Sequence, residues 1–270
     1  MAAGSVADSE LLARISQKLG DHQLAKWIVD EAFRNRIRAD SEIYALEMVD
    51  RYLRGEPIQY VFGHWSFRSL ELKCDTRALI PRPETEQLVD LVKAEISAHP
   101  EIVKILEIGT GTGAISLALG SEVAGLKIIA TELSALALEL ARENMEAQLG
   151  LVSEVVMLRS DLFDEVPESM LFDLIVSNPP YISSSARLDS RVVDHEPPEA
   201  LFGGADGLLV IRRMIRDAPA RLVGEGAQVF LEINENHGEL VSDLALKSGF
   251  TRVEIHCDLA GRNRFARLVL

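Results

Sequence analysis

The chain reads as an α/β protein: a mostly parallel sheet closed by a C-terminal antiparallel hairpin, with a small helical bundle in front of it. Three observations predict this. From about residue 102 onward, short apolar runs alternate with helix-patterned stretches, the pattern of a parallel sheet wound with helices. The last two apolar runs are separated only by a short turn around Gly261, and a connection that short demands an antiparallel pair. Residues 8 to about 55 carry apolar stripes at helical spacing and no strand pattern.

The helical region comes first. Leu11, Leu12, Ile15 and Leu19 form one stripe, which ends near Gly20. Asp21 is placed to cap a second helix with Leu24, Ile28 and Phe33 inward, and Asp40 or Ser41 opens a third through Ile43, Leu46, Val49 and Leu53. Gly55-Glu56-Pro57 stops it. Each stripe is too short to be stable alone, so the three should pack together. Residues 58–83 change character: Tyr60 to Phe67 and Leu70 to Cys74 read as an aromatic-rich hairpin bridging two domains. Pro81-Arg82-Pro83-Glu84 then leads into a helix through Leu88, Leu91 and Val92. The predicted domains are therefore 1–57, a linker over 58–83, and 84–270.

Strands are predicted at 103–108, 127–132, 154–159, 172–177 and 227–233, with helices between them, among them 134–149 and 207–222. Arg252 to Cys257 and Arg264 to Val269 form the closing hairpin. Behind the first of these strands comes Gly109-Thr110-Gly111-Thr112-Gly113, then a helix-like stretch. Glycine admits positive φ and lets a ligand approach the backbone closely. Strand, glycine turn and helix are the parts of a nucleotide-type site. The spacing is Gly-x-Gly-x-Gly, not the dinucleotide Gly-x-Gly-x-x-Gly. The next apolar run ends at Glu132, about 20 residues on, where an acid can accept hydrogen bonds from two ribose hydroxyls.

Asn178-Pro179-Pro180-Tyr181 directly follows the apolar run Phe172 to Ser177. Proline has a fixed φ and no N–H, and it pushes the residue before it into extended backbone. The result is a stiff turn headed by an amide, stripped of donors and flanked by an aromatic ring. Such an acceptor-rich ledge suits a planar –NH2 group, whose two hydrogens need two acceptors. A loop that merely ends a strand is the plain alternative. The combination with the glycine turn and the spaced acid favours the ledge.

Composition narrows the function classes. The 270 residues are 47% hydrophobic, enough for one large domain or a domain with a smaller companion. Lys and Arg number 28 against 42 Asp and Glu, a net charge of -14, which opposes a nucleic-acid backbone unless a basic patch exists. The one short basic cluster, Arg212, Arg213 and Arg216, falls on a helical pattern and reads as a solvated face. Cys74 and Cys257 give no disulfide framework and read as reduced thiols of a cytosolic protein. Met1-Ala2-Ala3-Gly4 has no signal-peptide character. His22, His64, His99, His195, His237 and His256 show no metal-ligand spacing, so no metal is expected.

These motifs resemble the HemK/PrmC methyltransferases, with the class I S-adenosylmethionine-dependent, Rossmann-like fold. The resemblance runs through Gly55 to Tyr60, Leu79-Ile80-Pro81-Arg82-Pro83-Glu84-Thr85-Glu86, the Gly109–Gly113 loop and Asn178–Tyr181. It continues through Glu196 to Gly207 and Asp258 to Gly261. It implies S-adenosylmethionine as donor and, as substrate, the glutamine of the Gly-Gly-Gln loop in class-1 peptide-release factors. It also implies that the Gly109–Gly113 backbone meets the methionine part, that Glu132 takes the ribose hydroxyls, and that Asp161 and Leu162 flank the adenine. Asp161 as a helix cap and Leu162 as plain core are the structural alternatives. The Asn178 side-chain oxygen and the Pro179 carbonyl would accept the two amide hydrogens, with Tyr181 stacked on the amide. Arg82 and Glu84 could line the cleft or form a structural salt bridge. Two positions depart from the family: Glu132 stands where Asp is usual, and Glu232-Ile233-Asn234 replaces Glu-Ile-Gly. Asn tolerates left-handed backbone, so a turn there can survive.

Three other readings compete. A nucleic-acid amino-methyltransferase would use the same ledge on a base amine, against the net charge. A nicotinamide dehydrogenase has the wrong glycine spacing and no use for Asn-Pro-Pro-Tyr. A non-catalytic donor-binding module has no need of the ledge. A monomeric cytoplasmic enzyme without a membrane segment is the expectation.

Overall fold

The computed structural model describes residues 6–34 and 38–270, so the Met1 to Gly4 start lies outside the described residues. The chain divides into two compact units, Met1–Gly63 with Asp189–His195, and His64–Leu188 with Glu196–Leu270.

In the first unit, α1 (Val6–Leu19), α2 (His22–Phe33) and α3 (Arg38–Leu53) bury Leu11, Ile15, Leu24, Ile28, Met48 and Val49 against one another. Asp21 caps α2 by accepting the Leu24 N–H at 3.0 Å, the satisfaction of an orphan donor that this residue type predicts. A short helix α4 (Ile58–Phe62) follows. Tyr60, Val61 and Phe62 are therefore helical, a correction to the strand that their aromatic and β-branched character suggests. Pro57 stands at the helix start and Gly63 ends it at φ 77°, and these terminal signals outweigh a weak β-propensity. Arg51 then donates to the Tyr60 and Val61 carbonyls at 2.9 and 3.0 Å, and so satisfies the last turn. The segment 189–195 contributes the one-turn helix α8 (Ser190–Val193), and Arg191 lies over the Tyr52 ring at 4.4 Å.

The second unit begins with a two-stranded hairpin, β1 (His64–Phe67) and β2 (Leu70–Lys73), and α5 (Pro83–Ala98). The main strands are β3 (Lys104–Ile108), β4 (Lys127–Glu132), β5 (Glu154–Arg159), β6 (Leu174–Ser177), β7 (Gln228–Glu232), β8 (Arg252–Cys257) and β9 (Asn263–Val269). They form one seven-stranded sheet in the order β5-β4-β3-β6-β7-β9-β8. The first five run parallel, and β9 is antiparallel to both β7 and β8.

Alternation along the strands splits the core into two faces. Ile105, Leu174, Val176 and Phe230 point into one cluster with α5, α6 (Ala114–Glu122) and α7 (Ala135–Ala147). Leu106, Ile175, Val229 and Leu231 point into the other, with α10 (Leu209–Asp217) and α11 (Gly238–Lys247), beyond the one-turn helix α9 (Pro198–Leu201). The helix predicted over 207–222 is α10 followed by a tighter 3-10 turn, Ala218–Arg221, where Pro219 removes a donor. Asp258 builds the closing turn: its Oδ1 accepts the Ala260 and Arg262 N–H groups at 2.9 and 3.0 Å, with Gly261 at φ 78°. Asn234 does not use the left-handed tolerance expected of it, since Arg68 and Leu162 are the non-glycine residues with positive φ among those described.

Candidate active site

Ile108 on β3 lies opposite Ser177 on β6, and the Ser177 hydroxyl donates to the Ile108 carbonyl at 2.6 Å. The next residue on each strand is Gly109 and Asn178, so the two loops singled out in the sequence leave the sheet side by side. The strand order reverses here, with β4 and β5 on one side and β6 and β7 on the other. Loops after such neighbours diverge and open a crevice at the carboxyl ends of the strands. A cavity of about 430 Å³ fills it, a size suited to a small ligand.

The glycine loop forms the cavity floor. Gly109, Gly111 and Gly113 have φ of 72°, 57° and 86°, backbone that side chains rarely adopt. The Gly109 and Thr110 N–H groups donate to the Thr131 carbonyl at 2.8 and 3.0 Å. Beneath the loop, buried Glu107 accepts the Thr110 hydroxyl at 2.6 Å and the Ser116 N–H at 3.1 Å. Burial pushes its pKa up to about 7, only partly offset by those bonds, and nearby Glu132 adds to the rise. Asn144 ties the loop to the hairpin, donating to the Thr112 and Lys73 carbonyls at 2.9 and 3.1 Å.

Glu132 stands at the end of β4 and also lines the cavity. Its Oε2 accepts the Gly111 N–H and its Oε1 the Ser134 N–H, both at 2.9 Å. Burial raises its pKa against those backbone bonds. A carboxylate has about four lone-pair sites, so capacity remains for a further donor beside the backbone N–H groups. On the adjoining wall Leu162 is held at φ 53°, an outlier for a bulky residue and of the kind that clusters at ligand sites. Asp161 lines the same wall and pairs with Arg213 at 3.0 Å.

Asn178, Pro179 and Pro180 form the third wall. The Asn178 Nδ2 donates to the Thr85 Oγ1 at 2.9 Å, the Thr85 hydroxyl donates to Glu232 Oε2 at 2.8 Å, and the Tyr181 hydroxyl donates to Glu232 Oε1 at 3.0 Å. Neither Asn178 Oδ1 nor the Pro179 carbonyl takes a hydrogen bond among the described residues. Burial raises the Glu232 pKa, while Thr85, Tyr181 and Arg264 favour its charged form.

Two expected residues sit elsewhere. Tyr181 does not line the cavity: its ring packs on the second core face, and its hydroxyl is held by Glu232. Gly113 caps α6 instead of lining the cavity. Of the Pro-Arg-Pro-Glu segment, Arg82 both lines the cavity and pairs with buried Glu196 at 2.5 Å, while Glu84 faces Arg262 at 3.7 Å.

Residues 85–263 match the family described as methyltransferase small domain. A release factor glutamine methyltransferase of Lactococcus lactis subsp. lactis (strain IL1403) is 38% identical over 248 residues, which cover 90% of this chain and 88% of the relative. Another, from Rhodopirellula baltica, is 37% identical over 225 residues, 81% of this chain and 75% of the relative. The chain belongs to the release factor glutamine methyltransferase family. A methyltransferase of Pyrococcus furiosus, 19% identical, shares the fold with a TM-score of 0.55 over 82% of this chain and 96% of that one.

Knowing the family, its motif segments acquire physical roles. A Cβ on Gly203 would lie 2.3 Å from the Pro180 carbonyl oxygen, and one on Gly207 would lie 2.2 Å from that of Tyr181. The Gly203–Gly207 segment of this methyltransferase is thus a brace pressed against the Asn-Pro-Pro-Tyr backbone. The bonds from Ile182 N–H to the Leu201 carbonyl and from Gly203 N–H to the Ile182 carbonyl, at 3.0 and 2.9 Å, reinforce it. Thr85, Gly203, Gly207 and Glu232 fall in segments that the resemblance names without giving these residues a role, and Glu107 is not singled out by the sequence. S-adenosylmethionine fits the donor set: open space over Gly109 and Gly111, a carboxylate with spare lone pairs, and an apolar wall at Leu162.

Proposed function

We propose that this protein transfers the methyl group of S-adenosylmethionine to the side-chain amide nitrogen (N5) of the glutamine in the Gly-Gly-Gln loop of class-1 release factors. The observation that carries this is the Asn178 carboxamide. It is held through Nδ2, and among the described residues neither Oδ1 nor the adjacent Pro179 carbonyl takes a hydrogen bond on this cavity wall.

When bound, the donor supplies a methyl carbon made electrophilic by its sulfonium. Gly109, Thr110, Gly111 and Thr112 would receive its methionine part, Glu132 would accept the ribose hydroxyls, and Leu162 with Asp161 would bound the adenine. An amide nitrogen is a poor nucleophile because its lone pair is delocalised into the carbonyl. Asn178 Oδ1 and the Pro179 carbonyl would accept its two hydrogens and so hold the amide with the lone pair, which stands perpendicular to the amide plane, facing the methyl carbon. Both bonds strengthen as positive charge builds on nitrogen, which favours the transition state over the ground state. One of the two hydrogens then leaves as a proton to solvent. Fixed geometry of this kind can supply about 7–11 kcal/mol of the barrier. Pro180 stiffens the turn, and Tyr181 anchors it from behind.

The same reading makes the protein a monomeric cytoplasmic enzyme whose partner is a protein and not a nucleic acid. A net charge of -14 supports this, and no described helix is long and apolar enough to cross a membrane. The test is incubation with methyl-labelled donor and purified release factor, the label then mapped by mass spectrometry. Label on the Gly-Gly-Gln glutamine is expected. Label on DNA or RNA amines with none on the factor would replace the reading with the nucleic-acid one.

A further inference from the structure

The carboxamide of asparagine has two ends of nearly equal shape and opposite polarity. Rotated by half a turn, Asn178 would offer N–H groups where the substrate –NH2 needs an acceptor. Something must therefore choose the end that faces the cavity. We propose that Thr85 and Glu232 are positioning residues that make this choice: Glu232 takes the hydroxyl protons of Thr85 and Tyr181, and the Thr85 oxygen is left able only to accept from Asn178 Nδ2. The inference rests on the role given to Asn178 above.

The reasoning is a count of protons. A threonine or tyrosine hydroxyl has one proton to give, and an ionised carboxylate has none. Each Glu232 oxygen receives one hydroxyl, at 2.8 Å from Thr85 and 3.0 Å from Tyr181. With its proton committed, Thr85 Oγ1 meets Asn178 only as an acceptor, at 2.9 Å. A flipped Asn178 would set Oδ1 against a second acceptor with no proton between them. The three partners come from the first turn of α5, the end of β7 and the turn after β6, and Thr85 and Glu232 are 5% and 1% exposed. Glu232 lies behind the cavity wall, and Thr85 and Asn178 border it.

A carboxylate is a costly group to bury opposite two hydroxyls. Glu232 forms no ion pair among the described residues, since Arg264 pairs with Asp258. Arg264 lies near enough to favour the charged form, yet a glutamine would fill the same space without a charge and without the desolvation cost of burying one. What only the carboxylate provides is acceptor character at both oxygens, and that property fixes the direction of every bond in the chain from Tyr181 to Asn178.

The experiment compares Thr85→Val, which keeps the shape and loses the hydroxyl, with Thr85→Ser, which keeps the hydroxyl and loses the methyl, and with Glu232→Gln. Turnover on the release factor, donor affinity, and the Asn178 side-chain NH2 resonances in amide-selective NMR are measured for each. Thr85→Val is expected to lower kcat about 100-fold, as for a small misplacement of a reacting group, with donor affinity retained as proof of folding. Thr85→Ser is expected to recover most of that loss. Glu232→Gln should resemble Thr85→Val, because its –NH2 must donate to one hydroxyl and frees that proton to compete. The Asn178 NH2 signals should be shifted and exchange-protected in the parent and Thr85→Ser, and lose both features in Thr85→Val. Parent-like turnover in Thr85→Val, equal damage in Thr85→Ser, or unchanged Asn178 signals in Thr85→Val would each overturn the proposal. A parent chain that is inert toward the release factor yet shows the expected NMR pattern would remove the proposed substrate and leave the positioning intact.

Discussion

Glu132 closes onto the glycine loop it serves: its Oε2 accepts the Gly111 N–H at 2.9 Å across 21 residues of chain. The same carboxylate that holds the loop in shape thus presents its remaining lone pairs to the cavity. Glu132→Ala should weaken binding of S-adenosylmethionine about 10- to 100-fold, the loss of one or two hydrogen bonds to a charged group. Titration calorimetry measures it. An unchanged affinity would take the ribose role away from this residue.

Asn178 acts on the methyl acceptor more than on the donor. Asn178→Ala is expected to lower kcat by about 100- to 1,000-fold, in line with the removal of one preorganised polar group, while donor affinity stays near that of the parent. Steady-state turnover and calorimetry on the same preparation separate the two. A parallel fall in both would show that the side chain holds the donor.

The glycine brace gives a purely steric test. A methyl group on Gly203 would meet the Pro180 carbonyl oxygen at 2.3 Å and the Gly207 carbonyl oxygen at 2.6 Å, neither of which can yield without moving the turn. Gly203→Ala should therefore destabilise the protein by about 1–3 kcal/mol and depress turnover further than that loss explains. Denaturant unfolding and activity at a temperature where the variant is folded would show the two effects. Gly125→Ala, where a Cβ meets nothing within 4 Å but φ is 83°, supplies the control for strain without contact.

Glu107 makes stability depend on pH. Its folded pKa is raised from 4.5 to about 7, so between those values the folded state holds a proton that the unfolded state has released. Stability is then full below the unfolded pKa, falls as pH rises toward about 7, and levels off above it. The raised pKa corresponds to a contribution of about 3 kcal/mol. Glu107→Gln keeps an acceptor for Thr110 and Ser116 and cannot ionise. The expected result is a flatter stability curve over that window and a more stable protein at neutral pH. A variant whose curve parallels that of the parent would assign the charge cost elsewhere.

Much of this was legible from local pattern. Short apolar runs located the strands because helices cover both faces of the sheet, and period-3.6 apolar spacing located the helices because each buries one face. The glycine spacing, Glu132 and Asn178 were readable because each follows the end of a strand, and parallel strands carry all such ends to one edge. Helix α4 was not readable, because five residues rich in Tyr, Val and Phe carry strand propensity and only the flanking Pro57 and Gly63 make them helical. Tyr181 was read as a stacking surface because a sequence gives the residue type and not the direction of the ring.

What the sequence by itself determined is the class of fold, the edge of the sheet where chemistry occurs, and the residue types at that edge, all set within windows shorter than a βαβ unit. The tertiary structure alone decided which way the Asn178 amide faces, that Gly203 and Gly207 press on the proline turn, and that Glu107 shares the cavity wall. Those are contacts between side chains or backbones brought together by sheet order and helix packing. Thr85 and Glu232 meet across 147 residues, and no periodicity or motif encodes a hydrogen bond whose partners become neighbours only after β6 and β7 have paired and α5 has packed against them.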